Sequence, residues 1–264
     1  MTYFYSILLG FIQGLTEFLP ISSSGHLILL PKIFHIHDQG LAFDVVLHLA
    51  TALAVLIVLN KDIFNILKDL FTSPTKNKSW FYILIGIIPA GLAGFFLDSY
   101  IEANFRSSIL VAFNLIFFGF ILWLAEKYLE QKPNQTKDLK KIGWKKSLSV
   151  GLAQILALSP GTSRSGITIS AGLSGGLSRE TAIKFSFILS LPLILAAGIF
   201  KATDLHLAAL SSPDIINLTL GFVASFISGI LAIKFMLNFI TKHGFKYLIL
   251  YRILLGIIIL IIFI

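Results

Sequence analysis

The sequence predicts an all-α polytopic membrane protein with six full transmembrane helices and two re-entrant helical hairpins in an inverted repeat. Hydrophobic residues make up 56% of its 264 residues and charged residues only 13%, and the mean hydropathy is +0.88. The apolar residues form long runs separated by short lysine-rich segments, which is typical of helices that cross a bilayer. Two further runs are interrupted by proline, glycine and serine, as re-entrant segments are.

Composition also excludes several classes of protein. The hydropathy excludes a disordered or ordinary water-soluble chain. The absence of cysteine excludes disulfide scaffolds, zinc ribbons and thiol nucleophiles. The net charge of +8 lies in loops between apolar runs, so it indicates membrane topology rather than nucleic-acid binding. Because the first run, 2–20, lacks a basic leader and contains Gln13 and Glu17, we expect it to belong to the mature protein.

The runs predict one membrane domain, 1–264, with two related halves. Each half has the order broken hairpin, then three spans, and the hairpins are 3–30 and 147–177. The predicted full spans are 41–60, 80–97, 109–125, 183–200, 215–233 and 246–264. The halves comprise about 1–128 and 147–264, and a cytoplasmic basic loop joins them.

The distribution of lysine and arginine predicts the orientation. Sixteen of the 21 basic residues lie in one set of loops, 61–79, 127–146, 178–184 and 234–246. Only three lie in the other set, 31–40, 98–108 and 201–214. By the positive-inside rule the first set faces the cytoplasm, and the sides then alternate across all six spans. The second half is therefore expected to be inverted, with the polar tips of the two hairpins meeting near the midplane in a shared cavity.

The first hairpin carries the motif from Gln13 to His26. Gln13 and Glu17 are four residues apart and share one helical face. An acid inside a membrane segment costs at least about 2.5 kcal/mol, so Glu17 is a candidate functional residue, although a helix-end carboxylate that reaches the interface is the alternative.

A polar turn with a histidine follows this acid. Ser22, Ser23, Ser24 and Gly25 suit a turn that approaches an anion, or one that caps the next half-helix. His26 is a candidate base, acid or metal ligand, or a hydrogen-bonding residue between helices.

The second hairpin places an arginine among small residues. The guanidinium of Arg164 suits phosphate oxygens, and a structural pair with Glu17 is a compatible alternative. The flanking residues leave amides and hydroxyls to complete an oxyanion cradle, namely Gly161, Thr162, Ser163, Ser165 and Gly166. One carboxylate, one imidazole, one guanidinium and several hydroxyls fit phosphate-ester chemistry and anion translocation equally well.

These motifs resemble a known family. The stretch Gln13 to His26, the stretch Pro160 to Gly166 and the segment Phe43 to Thr51 are similar to the bacterial undecaprenyl-diphosphate phosphatases of the bacitracin-resistance type. The resemblance covers essentially the whole chain. It implies hydrolysis of undecaprenyl diphosphate to the monophosphate carrier lipid of cell-wall synthesis and inorganic phosphate, with bacitracin resistance. It also implies the bacterial inner membrane and a site that opens to the periplasmic face.

The resemblance implies roles for individual residues. The family's paired acidic motif falls on Gln13 and Glu17, its serine-rich turn and histidine fall on 22–26, and its phosphate-binding arginine falls on Arg164. This chain has the glutamine variant at the first acidic position, so Glu17 is expected to carry most of the acidic role. A divalent cation, Mg²⁺ or Ca²⁺, is also implied; with one carboxylate available, it would bind through Glu17 and mainly through substrate phosphates.

Several alternatives stay open on the sequence. Ser23 is the first candidate for the nucleophile, activated by Glu17 or His26; a water molecule with Glu17 as base, or His26 itself, is the alternative. A transporter or flippase for a lipid phosphate or another anion, and a purely structural protein, are the other function classes. A homodimer is one assembly that the sequence leaves open.

Overall fold

The computed structural model describes residues 3–34, 40–105, 107–202 and 211–263. Within these ranges the regular structure is helical apart from one isolated β-bridge, Thr136 with Leu177. The helices are α1 Tyr3–Phe18, α2 Ser23–Phe34, α3 Leu41–Val58, α4 Asn60–Thr72, α5 Ser79–Asn104, α6 Ser108–Glu130, α7 Trp144–Ile155, α8 Arg164–Ser174, α9 Arg179–Ala202, α10 Ser212–Phe235, α11 Thr241–His243 and α12 Lys246–Phe263. Parts of the predicted outer loops 31–40, 98–108 and 201–214 lie outside the described residues.

Several of these helices are long and apolar enough to cross a membrane. Five such segments are Ser79–Leu97, Ser108–Glu130, Arg179–Lys201, Ser212–His243 and Lys246–Phe263. A sixth span is formed if Ala42–Val58 and Asn60–Thr72, which are bent by 79° relative to each other, are counted together. The prediction of an all-α polytopic membrane protein is confirmed, and the exact number of full spans stays a prediction.

The helix α4 corrects one boundary, because the sequence assigned 61–79 to a loop. Lysines in this segment suggested a solvated connection, but Lys61 and Lys68 are exposed residues of an amphipathic helix. Phe64, Leu67 and Phe71 recur at helical spacing and are 65%, 50% and 81% exposed. Apolar residues on the surface of a helix bent away from a span are typical of a segment lying in the membrane interface.

Both predicted hairpins are broken helices. In the first, α1 and α2 are separated by the bend 19–22; in the second, α7 continues as a 3₁₀ turn, Leu156–Leu158, before the bend 159–163 and α8. Next to the first bend, Phe18 is fully buried and packs edge-on against Phe187 of α9, with ring centroids 5.0 Å apart. The first bend therefore lies against a packed apolar core.

Small residues let each hairpin approach the other half of the chain. Helix α1 packs on α10, and α7 packs on α5. At Gly10 and Gly14 an added Cβ would clash with the backbone of α10, and at Gly151 it would clash with Gly86 of α5. Such small-residue contacts are the common way for membrane helices to pack closely. The half-helix α1 of the first half therefore packs on the second half, and the half-helix α7 of the second half packs on the first.

An ion-paired cluster ties the ends of three further helices together. Arg179, at the start of α9, contacts Glu126 of α6, with Nη2 2.8 Å from Oε1. The other carboxylate oxygen of Glu126 accepts a hydrogen bond of 2.9 Å from the backbone amide of Phe245, just before α12. Glu126 therefore has a structural role away from the bends.

Candidate active site

The two bends bring the acid of one hairpin to the arginine of the other. Arg164 is the first residue of α8, and its Nη2 donates to Oε1 of Glu17 in the last turn of α1 at 2.5 Å. The Glu17 side chain is 7% exposed and that of Arg164 is 18% exposed. Since an isolated buried charge is costly, the pair holds both groups in place in an apolar surrounding.

The second oxygen of Glu17 faces three polar groups. Ser23 Oγ donates to Oε2 at 2.8 Å, and Gln13 Nε2 donates to it at 3.2 Å. His48 Nε2, from α3, lies 3.8 Å from the same oxygen. Gln13 and Glu17 thus share one face, as their spacing predicted, and Ser23 reaches the acid through a direct hydrogen bond.

The two bends have the same backbone form. Ser22 and Ser163 have φ of 74° and 72°, and they are the described non-glycine residues with positive φ. In each bend the serine Oγ accepts from the amide three residues on, Gly25 at 3.3 Å and Gly166 at 3.1 Å. A left-handed serine costs about 1–3 kcal/mol, so both bends retain a strained turn that the surrounding structure stabilises.

The likeness of the bends extends to the sequence. Each position in the first hairpin corresponds to the one 141 residues later in the second. The matched pairs are Gly10 with Gly151, Gln13 with Gln154, Ser22 with Ser163, Ser24 with Ser165, and Gly25 with Gly166. At the same offset Glu17 matches Leu158 and Ser23 matches Arg164. One repeat therefore supplies the acid and hydroxyl, and the other supplies the guanidinium.

The remaining predicted residues differ in accessibility. Ser24 is exposed and Ser23 is half-buried, so these hydroxyls can reach a ligand. Thr162 and Ser165 are almost fully buried, and Ser165 Oγ donates to the carbonyl of Leu19 at 3.2 Å. Gly161 has φ of 89°, and a Cβ there would clash with the Val111 backbone. The second bend is thus built around tight packing, and contact of its hydroxyls with substrate stays a prediction.

His26 is held by the protein at both ring nitrogens. Nδ1 lies 2.8 Å from the carbonyl oxygen of Ser22, and Nε2 lies 2.7 Å from Tyr251 Oη. Since a carbonyl only accepts, Nδ1 carries the hydrogen, and neutral Nε2 accepts from Tyr251. His26 is 8% exposed. Its contacts stabilise the first bend, and its predicted catalytic role stays a prediction.

Arg252 of α12 was not recognised from the sequence. It is 0% exposed, and every hydrogen bond described for it goes to a backbone carbonyl. The acceptors lie in α6 and in both bends, at 2.8–3.3 Å: Leu115, Asn114, Pro20, Gly161 and Thr162. Arg252 therefore joins the two bends behind the Glu17–Arg164 pair. A charged residue within a predicted span was the signal that could have identified it.

Asn114 and His48 were also missed. Asn114 Nδ2 donates to Ser159 Oγ at 2.8 Å and to the Pro160 carbonyl at 2.7 Å, which fixes the second bend from α6. Both residues are polar side chains inside predicted spans, which is the same signal that Arg252 offered.

The cluster can bind an anion and activate a hydroxyl. Helices α2 and α8 begin at the bends, so the positive ends of their dipoles lie beside the Glu17–Arg164 pair. Arg164 adds a planar donor fork, and Glu17 accepts the hydrogen of Ser23. These groups match phosphoryl transfer, where catalysis is mostly positioning and charge neutralisation.

Comparison with known proteins agrees with this chemistry. The family model described as "Bacitracin resistance protein BacA" matches residues 6–258, which include both bends. The chain belongs to the BacA family. An "Undecaprenyl-diphosphatase" of Hahella chejuensis is 44% identical, covering 97% of this chain and 96% of that protein. An "Undecaprenyl-diphosphatase" of Elusimicrobium minutum is 43% identical, covering 99% and 98%.

The family assignment confirms the resemblance drawn from the two motifs. Because the match to the BacA family spans α1 to α12, the bends and the helices that hold them belong to one matched region. The BacA family and the apolar helices identify a multi-pass membrane protein.

Proposed function

We propose that this chain hydrolyses undecaprenyl diphosphate to undecaprenyl phosphate and inorganic phosphate, and so recycles the carrier lipid of cell-wall synthesis. The observation that carries the proposal is the Glu17 carboxylate, held between Arg164 and Ser23 where the two bends meet. The relatives named above carry the name of this activity. Bacitracin resistance fits the description of the family. It also fits the proposed product, because hydrolysis returns the carrier lipid in its monophosphate form.

In this proposal the terminal phosphate lies between the bends and the prenyl chain lies among the lipid-facing helices. Arg164 binds non-bridging oxygens and neutralises the charge that grows in the transition state. Arg164 then contacts both the phosphate and Glu17. Its weaker hold on Glu17 makes the carboxylate a better acceptor for the hydrogen of Ser23. The positive ends of the α2 and α8 dipoles add to the neutralisation of the phosphate charge.

Ser23 is the proposed nucleophile. Its Oγ attacks the terminal phosphorus, the bond from phosphorus to the prenyl phosphate oxygen breaks, and the hydrogen of Oγ passes to Glu17 Oε2. The 2.8 Å hydrogen bond from Ser23 to Glu17 supports this assignment, since the base already contacts the hydrogen it removes.

Replacing Ser23 by alanine tests this assignment. If Oγ is the nucleophile, turnover is abolished, and acid-quenched wild-type samples contain a phosphoserine that mass spectrometry places at position 23. If water attacks directly, the variant loses only a hydrogen bond, about 0.5–1.5 kcal/mol, and keeps measurable turnover. Ser24→Ala is the matched control, because Ser24 is exposed beside Ser23 and does not contact Glu17 in the described hydrogen bonds.

A divalent cation is part of the proposal. Among the described residues, no group of three or more His, Asp or Glu side chains could hold a metal. Glu17 offers one carboxylate, and Gln13 Oε1 is a buried oxygen without a hydrogen-bond partner. This set fits Mg²⁺ or Ca²⁺ bound mainly through substrate phosphates and water, with Glu17 and Gln13 as its protein ligands. When bound, the cation neutralises phosphate charge.

Gln13→Glu tests how the cation is held. A second carboxylate about 6 Å or less from Glu17 repels it unless a cation lies between them. We expect the variant to fold and to stay active at saturating cation. A cation site formed by the pair gives half-maximal activity at a lower Mg²⁺ or Ca²⁺ concentration than in wild type. If Glu17 binds the cation without position 13, the variant instead needs a higher pH or a higher cation concentration to reach the same activity. Identical activity curves would place position 13 outside the electrostatic reach of the site.

We further propose an inverted repeat in the bacterial inner membrane, with the site open to the periplasmic face. The reciprocal packing of α1 on α10 and of α7 on α5, together with the 141-residue correspondence, supports this arrangement. The sequence leaves a homodimer open, and native mass spectrometry measures the oligomeric state.

Cysteine labelling tests the orientation. Gly40, before α3, and Glu180, in the first turn of α9, are both exposed, and Glu180 avoids the ion pair of its neighbour Arg179. We expect Gly40→Cys in whole cells to react with a membrane-impermeant maleimide and Glu180→Cys to react only after lysis. Labelling of both from the same side would contradict the inversion.

A flippase or transporter for a lipid phosphate is the second candidate, because two half-helix bends that meet in the membrane also occur in transporters. Phosphate release by purified protein in detergent, where no gradient exists, separates the two. Release from a C55 prenyl diphosphate, tested with and without chelator, supports the phosphatase; binding without release supports the transporter.

A further inference from the structure

The two-step reaction proposed above requires a second base. In the first step Glu17 receives the hydrogen of Ser23 Oγ. In the second step water attacks the phosphoserine, and the bond from phosphorus to Ser23 Oγ breaks. By microscopic reversibility Glu17 returns its proton to that oxygen. The attacking water therefore has to give its proton to another group.

The contacts of His26 exclude it from this second role. Its Nδ1 carries a hydrogen directed at the Ser22 carbonyl, and its Nε2 lone pair is used by Tyr251 Oη at 2.7 Å. The ring is also 8% exposed. No lone pair of this imidazole is left for a water molecule.

His48 has the opposite arrangement. Its Nδ1 lies 2.8 Å from the carbonyl oxygen of Asp44, one helical turn earlier in α3, so Nδ1 carries the hydrogen. In the neutral ring the lone pair is then at Nε2, which faces Glu17 Oε2 at 3.8 Å. The side chain is 38% exposed, so water reaches it. Ser23 Oγ and His48 Nε2 therefore approach the same carboxylate oxygen, at 2.8 Å and 3.8 Å.

We propose that His48 is the base that activates water for hydrolysis of the Ser23 phosphoester. The water oxygen forms a bond to phosphorus, and its proton passes to His48 Nε2. The bond from phosphorus to Ser23 Oγ breaks, Glu17 returns its proton to Oγ, and inorganic phosphate leaves. His48 then loses its proton to solvent through its exposed edge. This inference rests on the proposed function and adds a residue to the same site.

His48→Gln tests the inference, because the amide keeps polarity near Nε2 but is not a base. The protein is mixed rapidly with a prenyl diphosphate in detergent, and prenyl monophosphate and inorganic phosphate are measured separately. We expect a burst of one equivalent of prenyl monophosphate per protein, a phosphoserine that persists at position 23, and inorganic phosphate release reduced about 10²- to 10⁴-fold.

A second variant and a matched control complete the experiment. In His48→Ala, added imidazole is expected to restore inorganic phosphate release without changing the size of the burst. His243→Gln is the control: its Nδ1 lies 3.0 Å from the Phe239 carbonyl in the same one-turn geometry, but the residue is exposed and outside the site. It is expected to match wild type.

Equal loss of both products in His48→Gln, wild-type kinetics in that variant, or retained turnover in Ser23→Ala would overturn the role of His48. A purified wild-type protein that releases no phosphate would instead overturn the proposed function.

Discussion

Replacement of Glu17 by glutamine is expected to lower turnover by roughly 10²- to 10⁴-fold, because the amide cannot accept the hydrogen of Ser23. In the structure Oε2 contacts Ser23 Oγ at 2.8 Å, and Oε1 contacts Arg164. Glutamine keeps the size of the side chain but loses the charge on both oxygens. The measurement is kcat for prenyl diphosphate in detergent, together with the unfolding temperature of the same sample.

The choice of glutamine matters because alanine has two effects. Glutamine keeps an amide oxygen that can accept from the Arg164 guanidinium, whereas Glu17→Ala leaves Arg164 with no acceptor at position 17. Breaking a buried pair by removing one partner costs about 3–5 kcal/mol. Glu180→Gln is the matched control, since Glu180 is 59% exposed and pairs with Lys184 one turn later in α9. It should keep wild-type turnover, as should Lys76→Ala in an exposed turn. Near wild-type kcat for Glu17→Gln would contradict the assignment.

On the sequence, the pairing of Glu17 with Arg164 was an alternative compatible with phosphate binding, and the cost of burying a charge in a bilayer favours such a pair. Each residue lies in an apolar run beside a break that contains proline or glycine. A polar cavity with an opposite charge lowers the cost of burying each of them. The same argument applied to Arg252, but the run around it is continuous, and it was taken as an ordinary span. Its partners are backbone carbonyls. Because every residue has one, the sequence does not indicate which carbonyls accept from Arg252.

The histidines show why the identity of a site residue depends on contacts between distant helices. His26 lies within the motif of the first bend, but Tyr251 of α12 occupies its Nε2, and 225 positions separate the two. His48 lies in an apolar stretch of α3, and the packing of α3 against α1, α9 and α10 brings it to Glu17. Local spacing carries no information on either contact.

The helix α4 and the matched bends were missed for different reasons. Lysines in the predicted loop 61–79 indicated the cytoplasmic end of a span, which stays a prediction. The apolar face formed by Phe64, Leu67 and Phe71 is recognised only when the same residues are placed at helical spacing. The repeat was predicted from the order of segments. Its residue-level register is marked by the shared positive φ of Ser22 and Ser163, which is a property of the backbone and not of the order of segments.

Replacement of Arg252 by methionine is expected to have the largest effect on stability, about 1–3 kcal/mol for each buried carbonyl that is left without a donor. Arg252 donates to Pro20 in the first bend at 2.8 Å and to Thr162 in the second at 2.9 Å. Methionine fills much of the volume but donates nothing. The bends would then lose the connection that fixes their separation. The unfolding temperature in detergent measures this effect directly.

Arg252→Lys separates stability from positioning. Lysine keeps the charge, but its three donors radiate from one nitrogen and cannot reach acceptors on α6 and on both bends as a planar fork does. We therefore expect a folded variant with a smaller loss of stability and a reduced kcat, because Glu17 and Arg164 are no longer held at the same separation. Lys246→Met removes a positive charge from an exposed position on the same helix and should leave both quantities unchanged. An Arg252→Met variant that unfolds at the wild-type temperature would show that the bends are held without this residue, and that α12 acts only as a membrane span.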